Sequence, residues 1–304
     1  MSRVGYVTSG RYAPPAARRE IVAVSADGAR LHVEVHGEEG APAVVLAHGW
    51  TCSTAFWAAQ VRELAKTHKV VAYDQRGHGR SPAGAAHSTT ALADDLVAVL
   101  GAALAPGERA VVAGHSMGGM TIMAAAGRPE FAERVAAALL CSTGSSRLVE
   151  EARVLPLRAG RARTRITGVV LGSRAPLGPV TPVARKVLKY ATMGPGSAPD
   201  RVEACARIVH ACPTKVRHAW SEVLAGLDLD ANLAALTVPT AVIGGTVDRL
   251  TPITHARGLA AALPNCVGLT ELAGMGHMTP IEAPEAVTHA ISDLVDAHMK
   301  EKTG

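Results

Sequence analysis

The chain has 304 residues, of which 48% are hydrophobic and 3% aromatic, a length that suits one large α/β domain or a core with an inserted lid. Its net charge of +5 is mild and does not argue for a nucleic-acid-binding protein. Five scattered cysteines without C-x-x-C spacing argue against a disulfide framework and a zinc site. No apolar run approaches bilayer length and no signal-peptide core is present, so we predict a cytoplasmic protein without stable membrane insertion.

The N-terminal part predicts an irregular arm followed by a β-hairpin. Residues 1–20 form the arm, because they contain glycine and a pair of prolines but no periodic apolar pattern. Ile21–Ser25 and Leu31–Val35 are short β-branched or alternating runs that flank the turn sequence Ala26-Asp27-Gly28. The folded core is therefore expected to begin at residue 21.

Strands and helices then alternate up to residue 143. Four buried strands are predicted, and apart from Arg109 at the start of the third they are apolar on both faces, as buried parallel strands are: Ala43–Ala47, Val70–Tyr73, Arg109–Ala113 and Val135–Cys141. The predicted helices between them are Thr54–Lys66, Thr89–Leu104 and Met117–Gly127. Repeated βα units of this length predict a mostly parallel, doubly wound sheet.

Between residues 144 and 225 the alternation stops and a helical insertion is predicted. Helical spacing is present in four segments, Leu148–Leu157, Val183–Tyr190, Ala198–Ala211 and Thr214–Leu224, which prolines interrupt. Alternation resumes in residues 226–304, with strands at Pro239–Gly245 and Val267–Leu272 and helices at Thr254–Leu263 and Glu282–Met299. Residues 21–143 and 226–304 are thus predicted to form one core.

The sequence Gly114-His115-Ser116-Met117-Gly118-Gly119 lies between a predicted strand and a predicted helix. Such a turn strains its central residue and requires glycine two positions before and two positions after it. Ser116 would stand at the tip, at a helix N-terminus that favours developing negative charge on a substrate oxygen. This arrangement is typical of a nucleophilic serine.

A serine nucleophile needs a base, and the base needs an orienting carboxylate. Asp248 follows the predicted strand that ends at Gly245, and His277 follows the last predicted strand. The order serine, acid, histidine, with each residue just past a strand, predicts a triad of Ser116, Asp248 and His277. No carboxylate follows Cys141, so Asp248 has no rival there.

From Ile21 to its C-terminal helix, the chain resembles the α/β-hydrolase fold superfamily. The matching motifs are His48-Gly49-Trp50, the loop from Asp74 to Ser81, the Ser116 turn, Gly245-Thr246-Val247-Asp248 and Gly276-His277. The resemblance implies that the backbone amides of Trp50 and Met117 form the oxyanion hole, while their side chains are free to wall the substrate pocket. It also implies that residues 144–225 are a helical cap over the site. Serine at position 116, where halide- and epoxide-processing relatives carry aspartate, argues against those two reactions.

The residues together predict a cofactor-independent serine hydrolase that cleaves an ester, thioester or lactone of a small to mid-sized substrate through an acyl-enzyme on Ser116. Carbon-carbon bond hydrolysis, acyl transfer and perhydrolysis on the same fold stay open, as does a non-hydrolytic member that binds a small ligand or shapes a reaction. A small-molecule acyl substrate is the expected partner, and a homodimer is left open.

Other polar residues favour a structural interpretation. His48 and His78 lie in early glycine-containing loops and are predicted to be hydrogen-bonding rather than catalytic, and Asp74 and Arg76 are predicted to form a loop-fixing pair. Ten basic residues minus two glutamates leave +8 between residues 147 and 189. This imbalance predicts either a solvated lid surface or a lid that favours anionic substrates or an anionic lipid surface.

Overall fold

The computed structural model describes residues 10–299, which contain one eight-stranded sheet in the order β1-β2-β4-β3-β5-β6-β7-β8. The strands are β1 (Arg19–Val24), β2 (Arg30–His36), β3 (Ala43–Ala47), β4 (Lys69–Tyr73), β5 (Ala110–His115), β6 (Val135–Cys141), β7 (Thr240–Gly245) and β8 (Cys266–Leu272). Strands β1 and β2 form an antiparallel hairpin, and β2 pairs antiparallel with β4. All pairings from β4 through β8 are parallel.

Each central strand packs against a separate apolar layer on either face of the sheet. Along β3, Val44 and Leu46 belong to one buried cluster, and Val45 and Ala47 belong to the other. This alternation follows from the period of two along a strand, and it requires both faces to be covered by helices. The sequence of β3, which is apolar at all five positions, suits burial on both faces.

The helices of the core are α1 (Ala58–Leu64), α2 (Thr89–Ala103), α3 (Met117–Ala125), α4 (Pro129–Arg134), α10 (Ile253–Ala262), α11 (Thr279–Glu282) and α12 (Pro284–His298). Between β6 and β7 lie α5 (Leu148–Glu151), α6 (Arg161–Leu171), α7 (Pro182–Thr192), α8 (Pro199–Ala211) and α9 (Thr214–Ala225). Short 3₁₀ turns cover Thr54–Trp57 and Asp230–Ala235. Residues 144–225 are called the insertion below.

The connection order places the loops that carry chemistry at one edge of the sheet. After β3 the chain pairs outward through β4 and then returns to the other side of β3 with β5. In parallel sheets, a ligand crevice forms outside the carboxyl ends of the strands where the order reverses. The loop after β3 carries Trp50, and the turn after β5 carries Ser116, so both lie at this crevice.

The predicted fold class, an α/β-hydrolase sheet with inserted helices, is confirmed, but several predicted helices are wrong in detail. The helix expected over Leu148–Leu157 ends at Glu151, and α6 was not predicted at all. The single helix expected over Thr54–Lys66 is a 3₁₀ turn followed by α1. The C-terminal helix expected from Glu282 is divided before Pro284, whose ring cannot continue a preceding helix.

The predicted arm falls partly outside the residues that the structure describes. Residues 1–9 lie outside them, and residues 10–18 contain neither helix nor strand, but the predicted boundary at residue 20 is wrong because β1 already begins at Arg19. Within this stretch the buried Tyr12 hydroxyl donates a hydrogen bond to the Ile281 carbonyl at 3.0 Å, which holds the segment against the C-terminal part of the core. Across residues 10–299, no helix combines the length and the apolar character that crossing a bilayer requires.

Candidate active site

The turn between β5 and α3 holds Ser116 in a strained conformation, with φ 51° and ψ −116°. Glycine is required on both sides of it. A Cβ on Gly114 would lie 2.4 Å from the Gly118 carbonyl group, and a Cβ on Gly118 would lie 2.0 Å from the Ala47 carbonyl oxygen. Backbone strain of this kind persists only where the surrounding structure enforces it, and it often marks a functional residue.

Asp248 and His277, which lie beyond β7 and β8, are brought together as predicted. The Nδ1–H group of His277 donates to Asp248 Oδ2 at 2.8 Å, and both residues are buried. This tautomer leaves Nε2 as the free basic nitrogen. Asp248 is fixed in turn, because its Oδ1 accepts hydrogen bonds from the amides of Leu250 and Thr251 at 2.8 and 3.0 Å.

Thr251 adds a hydroxyl to this pair. Its Oγ1 lies 2.8 Å from Asp248 Oδ2 and 3.1 Å from His277 Nδ1. A hydroxyl that contacts both partners restricts the orientation of the carboxylate and of the imidazole. Sequence analysis missed Thr251, although the turn Asp248-Arg249-Leu250-Thr251, whose aspartate accepts from amides two and three residues on, is a readable signal.

The loop that carries His277 is tied to the insertion through a buried carboxylate, Glu282, which is 1% exposed. Glu282 Oε1 accepts from the amides of Gly276 and Met278, both at 3.1 Å. Its Oε2 accepts from the Gly194 amide at 2.6 Å and from the Ser197 hydroxyl at 2.7 Å. Glu282 therefore joins the residues on either side of His277 to the segment after α7, and sequence analysis did not identify it.

Two further contacts hold the His277 backbone. Its amide donates to the Thr192 carbonyl at 2.7 Å, at the end of α7, and its carbonyl accepts from His115 Nε2 at 2.8 Å. Burial lowers the pKa of His115 well below its usual value, so that ring is neutral. With the proton on Nε2, the buried Nδ1 of His115 has no partner in the described part of the chain.

A cavity of about 890 Å³ opens between the core and the insertion. Ser116, His277 and Trp50 line it from the core. From the insertion come mainly apolar side chains, including Leu148, Leu155, Val187, Leu188 and Leu224. Ser116 and His277 share this cavity, but within the described residues no hydrogen bond joins their side chains. Most of the cavity wall is thus hydrocarbon, which favours binding of a ligand with a substantial apolar part.

The predicted oxyanion residues have different environments. Neither the Trp50 amide nor the Met117 amide donates a hydrogen bond to another residue in the described part of the chain. The Trp50 side chain lines the cavity. The expectation that the Met117 side chain also walls the pocket is wrong, because it is fully buried in the core beneath α3, and Met120, one turn later, lines the cavity instead.

The early loop histidines lie behind this site as hydrogen-bonding groups. His48 Nδ1 donates to the Gly49 carbonyl at 2.7 Å, and its Nε2 accepts from the Gln75 amide at 3.0 Å. His78 Nδ1 lies 3.2 Å from the Arg76 carbonyl, and its Nε2 accepts from the Thr51 amide at 3.3 Å. Burial lowers the pKa of His78 to about 4, so the ring is neutral at pH 7, with one nitrogen as donor and the other as acceptor.

The predicted pair of Asp74 and Arg76 does not exist. Arg76 instead forms ion pairs with Asp27 at 2.7 Å and Asp95 at 2.5 Å. Asp74 accepts from the backbone amides of Thr54 at 2.7 Å and Arg80 at 2.9 Å. Burial raises the pKa of Asp74 to about 6 even though these amides favour the charged form. Both residues fix the loop, but each does so through other partners.

The sheet, the strained serine turn and the facing histidine–aspartate pair define the class to which this protein belongs. A model described as "Alpha/beta hydrolase family" matches residues 44–290, so the chain belongs to that family and is an α/β-hydrolase enzyme. The predicted family and enzyme class are thereby confirmed.

Two curated relatives match most of the chain. The "Putative carbamate hydrolase RutD" of Variovorax paradoxus is 31% identical over 271 residues, which cover 87% of this chain and 96% of that protein. The 3-oxoadipate enol-lactonase 2 of Acinetobacter baylyi is 24% identical over 278 residues, 90% of this chain and 95% of its own. The solved esterase RhEst1 of Rhodococcus sp. ECU1013 matches with a TM-score of 0.75 at 23% identity, covers 92% of this chain and 99% of its own, and supports the fold.

Proposed function

We propose that the protein is a serine hydrolase that cleaves an ester, thioester or lactone of a small to mid-sized substrate through an acyl-enzyme on Ser116. The observation that carries the proposal is the strained Ser116 turn, which opens into the same cavity as the His277–Asp248 pair. A pure binding protein would not need a strained serine together with an oriented imidazole.

In the proposed reaction, Ser116 Oγ attacks the substrate carbonyl while His277 Nε2 takes its proton. The Asp248 carboxylate holds the Nδ1–H tautomer and stabilises the imidazolium that forms. The amides of Trp50 and Met117 donate to the developing oxyanion; loss of one such donor typically costs about 3 kcal/mol in transition-state stabilisation. Protonated His277 then gives its proton to the leaving group, and water deacylates the enzyme with the same histidine as base.

The apolar lining supports an acyl or alkyl substrate without extensive polar decoration. The named relatives include an enol-lactonase and a carbamate hydrolase, so lactones and carbamates belong in the first substrate panel. Carbon-carbon hydrolysis, acyl transfer, perhydrolysis and a non-hydrolytic role use the same fold and stay as alternatives. The cytoplasmic compartment stays a prediction.

The first experiment compares wild type with Ser116→Ala on chromogenic esters of short to medium acyl chains, and treats both proteins with a fluorophosphonate. Wild type should turn over esters and become labelled, because only an activated serine reacts quickly. Ser116→Ala should do neither while keeping its far-UV circular dichroism spectrum.

Each alternative gives a different pattern in that experiment. Labelling of Ser116 without ester turnover points to a working triad with a narrow substrate or another same-fold reaction. Undiminished turnover by folded Ser116→Ala removes this serine from the mechanism. Absence of both turnover and labelling in wild type favours the non-hydrolytic alternative.

A further inference from the structure

Helix α9 lines the cavity with one set of side chains and packs a neighbouring set against the core. Arg217, Ser221 and Leu224, which share a helix face by their spacing, line the cavity that contains Ser116. Val216 and Trp220 lie on the adjacent side of the helix, where Trp220 Nε1 donates to the Arg76 carbonyl at 3.2 Å. The helix is therefore anchored to the core loop after β4 and holds Arg217 at the cavity wall.

Arg217 is a buried cation that has no counter-ion among residues 10–299. The residue is 6% exposed, and its Nη2 donates to the Ser173 carbonyl at 2.9 Å and also to the Ala175 carbonyl. Its Nη1 is buried without a partner, and among residues 10–299 no carboxylate forms an ion pair with it. Neutral carbonyls satisfy part of its hydrogen-bonding capacity but leave its charge uncompensated.

A second buried arginine, Arg76, has its charge compensated by carboxylates. Arg76 has a fully buried side chain, and it pairs with both Asp27 and Asp95. An unpaired buried charge is costly, because water no longer solvates it and no opposite charge replaces that solvation. The difference between the two arginines is that Arg217 lines a ligand-sized cavity, where an anion brought by a ligand can neutralise it.

Arg217 lies next to the Trp50 loop, in the cavity that contains Ser116 and His277. The indole Nε1 of Trp50 donates to the Arg217 carbonyl at 3.0 Å, so α9 contacts the loop whose Trp50 amide is a proposed oxyanion donor. None of the ten basic residues between 147 and 189 lines this cavity. Among the arginines and lysines of the described residues, only Arg217 lines the cavity that also contains Ser116 and His277.

We propose that Arg217 binds a carboxylate of the substrate, so that the preferred substrates are acyl compounds with a second, free carboxylate, such as half-esters of dicarboxylic acids or lactones that carry a carboxylate. A planar guanidinium matches a carboxylate and forms charge-assisted hydrogen bonds with it. The apolar remainder of the cavity surrounds the chain between the carboxylate and the scissile carbonyl. This inference rests on the proposed hydrolase function for its substrate class.

The test uses two esters of similar shape that differ only in their terminal group, which is charged in one and apolar in the other. The mono-4-nitrophenyl ester of glutaric acid carries a free carboxylate, and 4-nitrophenyl 5-methylhexanoate replaces that carboxylate with an isopropyl group of similar shape. The measured quantity is the ratio of kcat/KM for the acidic ester to that for the neutral ester. Wild type should prefer the acidic ester, and Arg217→Met should lower the ratio at least about tenfold through loss of a charge-assisted contact.

Two further variants separate binding from a structural role. Arg217→Lys keeps the charge without the fork and should retain part of the preference. Arg174→Gln removes an exposed arginine from the neighbouring loop, where Arg174 Nε contacts His218, and should leave the ratio within about twofold of wild type. If Arg217→Met lowers kcat/KM for both esters by the same factor, Arg217 only holds the loop at Ser173 and the proposal is overturned.

A binding measurement keeps this inference separate from the proposed hydrolysis. Calorimetric titration with glutarate is performed on wild type, Arg217→Met and Arg174→Gln, whether or not any ester is cleaved. Glutarate binding that is lost only in Arg217→Met supports the carboxylate site even if the hydrolase proposal fails. Equal binding to all three proteins, or binding to none, overturns the inference while leaving ester turnover as a separate result.

Discussion

The sheet core and the insertion differ in how far their side chains are buried and in how their buried charges are paired. All five residues of β3 and of β4 are buried, and the buried core cation Arg76 has two acidic partners. In the insertion, α6 and α7 bury one residue each, and Val169 and Val183 are 70% and 69% exposed. The core therefore buries the residues that hold the proposed reacting groups, whereas the α6 and α7 part of the insertion is loosely packed; α8 and α9 bury six and four residues and hold the insertion against the core.

The two regions meet near His277 through a small number of specific contacts. The insertion supplies the Thr192 carbonyl to the His277 amide, two donors to Glu282, and the buried Arg217. Two other arginines of the insertion form ion pairs within it: Arg147 pairs with Glu151, and Arg185 pairs with Glu203. We infer that the core determines the chemistry and the insertion determines which substrate reaches it. The substitutions below test where that division holds.

The largest effect is expected from one methyl group in the core. In Gly118→Ala the new Cβ would meet the Ala47 carbonyl oxygen at 2.0 Å, which forces α3 away from β3. We expect a loss of about 4 kcal/mol or more in the free energy of unfolding, together with loss of activity. Urea unfolding followed by circular dichroism measures the first quantity, and ester turnover measures the second.

The insertion offers a matched substitution for that test. In Gly168→Ala, within α6, the one neighbour that the new Cβ meets among residues 10–299 is Val149 Cγ1 at 3.7 Å, an ordinary contact. Alanine is the better helix former, so this variant should gain about 0.5 to 1 kcal/mol. Equal destabilisation by the two changes would contradict the distinction between the closely packed core and the loosely packed helix α6.

A second prediction concerns the contact between the regions. Glu282→Gln replaces one carboxylate oxygen with an NH₂ group that faces N–H and O–H donors, so buried donors lose their acceptor. We expect a loss of about 3 kcal/mol in unfolding free energy and about a tenfold decrease in kcat, since the residues on either side of His277 are released. Paired unfolding and steady-state measurements check both effects.

The control for this change is a nearby glutamate. Glu285→Gln makes the same chemical substitution three residues later, at a side chain that is 69% exposed and contacts Arg11. It should change stability by no more than about 1 kcal/mol. If Glu282→Gln behaves like Glu285→Gln, the carboxylate does not hold the insertion against the His277 loop.

The same division between regions explains what could be predicted from the sequence. The strands Ala43–Ala47 and Val135–Cys141 are found at their predicted bounds, because runs that are apolar on both faces are specific for buried parallel strands. Helix α6 was not predicted, because its residues are rich in arginine and include Gly168, and only Thr167 is buried. A helix without a buried stripe leaves little periodic signal.

The residues of the proposed site could likewise be predicted from the sequence only in part. Ser116, Asp248 and His277 follow strands, so local patterns located them. Glu282 and Arg217 act through partners that are distant in the sequence: the Gly194 amide lies 88 residues before Glu282. No spacing rule connects such positions, and only the folded chain brings them together.

The smallest effect is expected from pH and concerns a buried core histidine. Burial lowers the pKa of His78 from about 6.5 to about 4, so the folded state disfavours the protonated ring. Stability that is present above pH 6.5 is therefore lost as the pH falls from 6.5 towards 4, by about 2 kcal/mol between pH 7.5 and pH 5. In His78→Gln that part of the decrease should be absent, although the variant is less stable than wild type at pH 7.5.

Other buried groups also contribute to the pH dependence. The contribution of His78 is therefore measured as the difference between the variant and wild type in how much the free energy of unfolding changes between the two pH values. Burial lowers the pKa of His48 and adds a contribution of the same sign, whereas the raised pKa of Asp74, about 6, acts in the opposite direction between pH 4 and 6. Urea unfolding is measured at both pH values for wild type, His78→Gln and a control variant, His289→Gln, which removes an imidazole that is 80% exposed. An unchanged pH dependence in His78→Gln would mean that the ring behind the Trp50 loop accepts a proton without cost, and that this part of the core is less closed than its burial indicates.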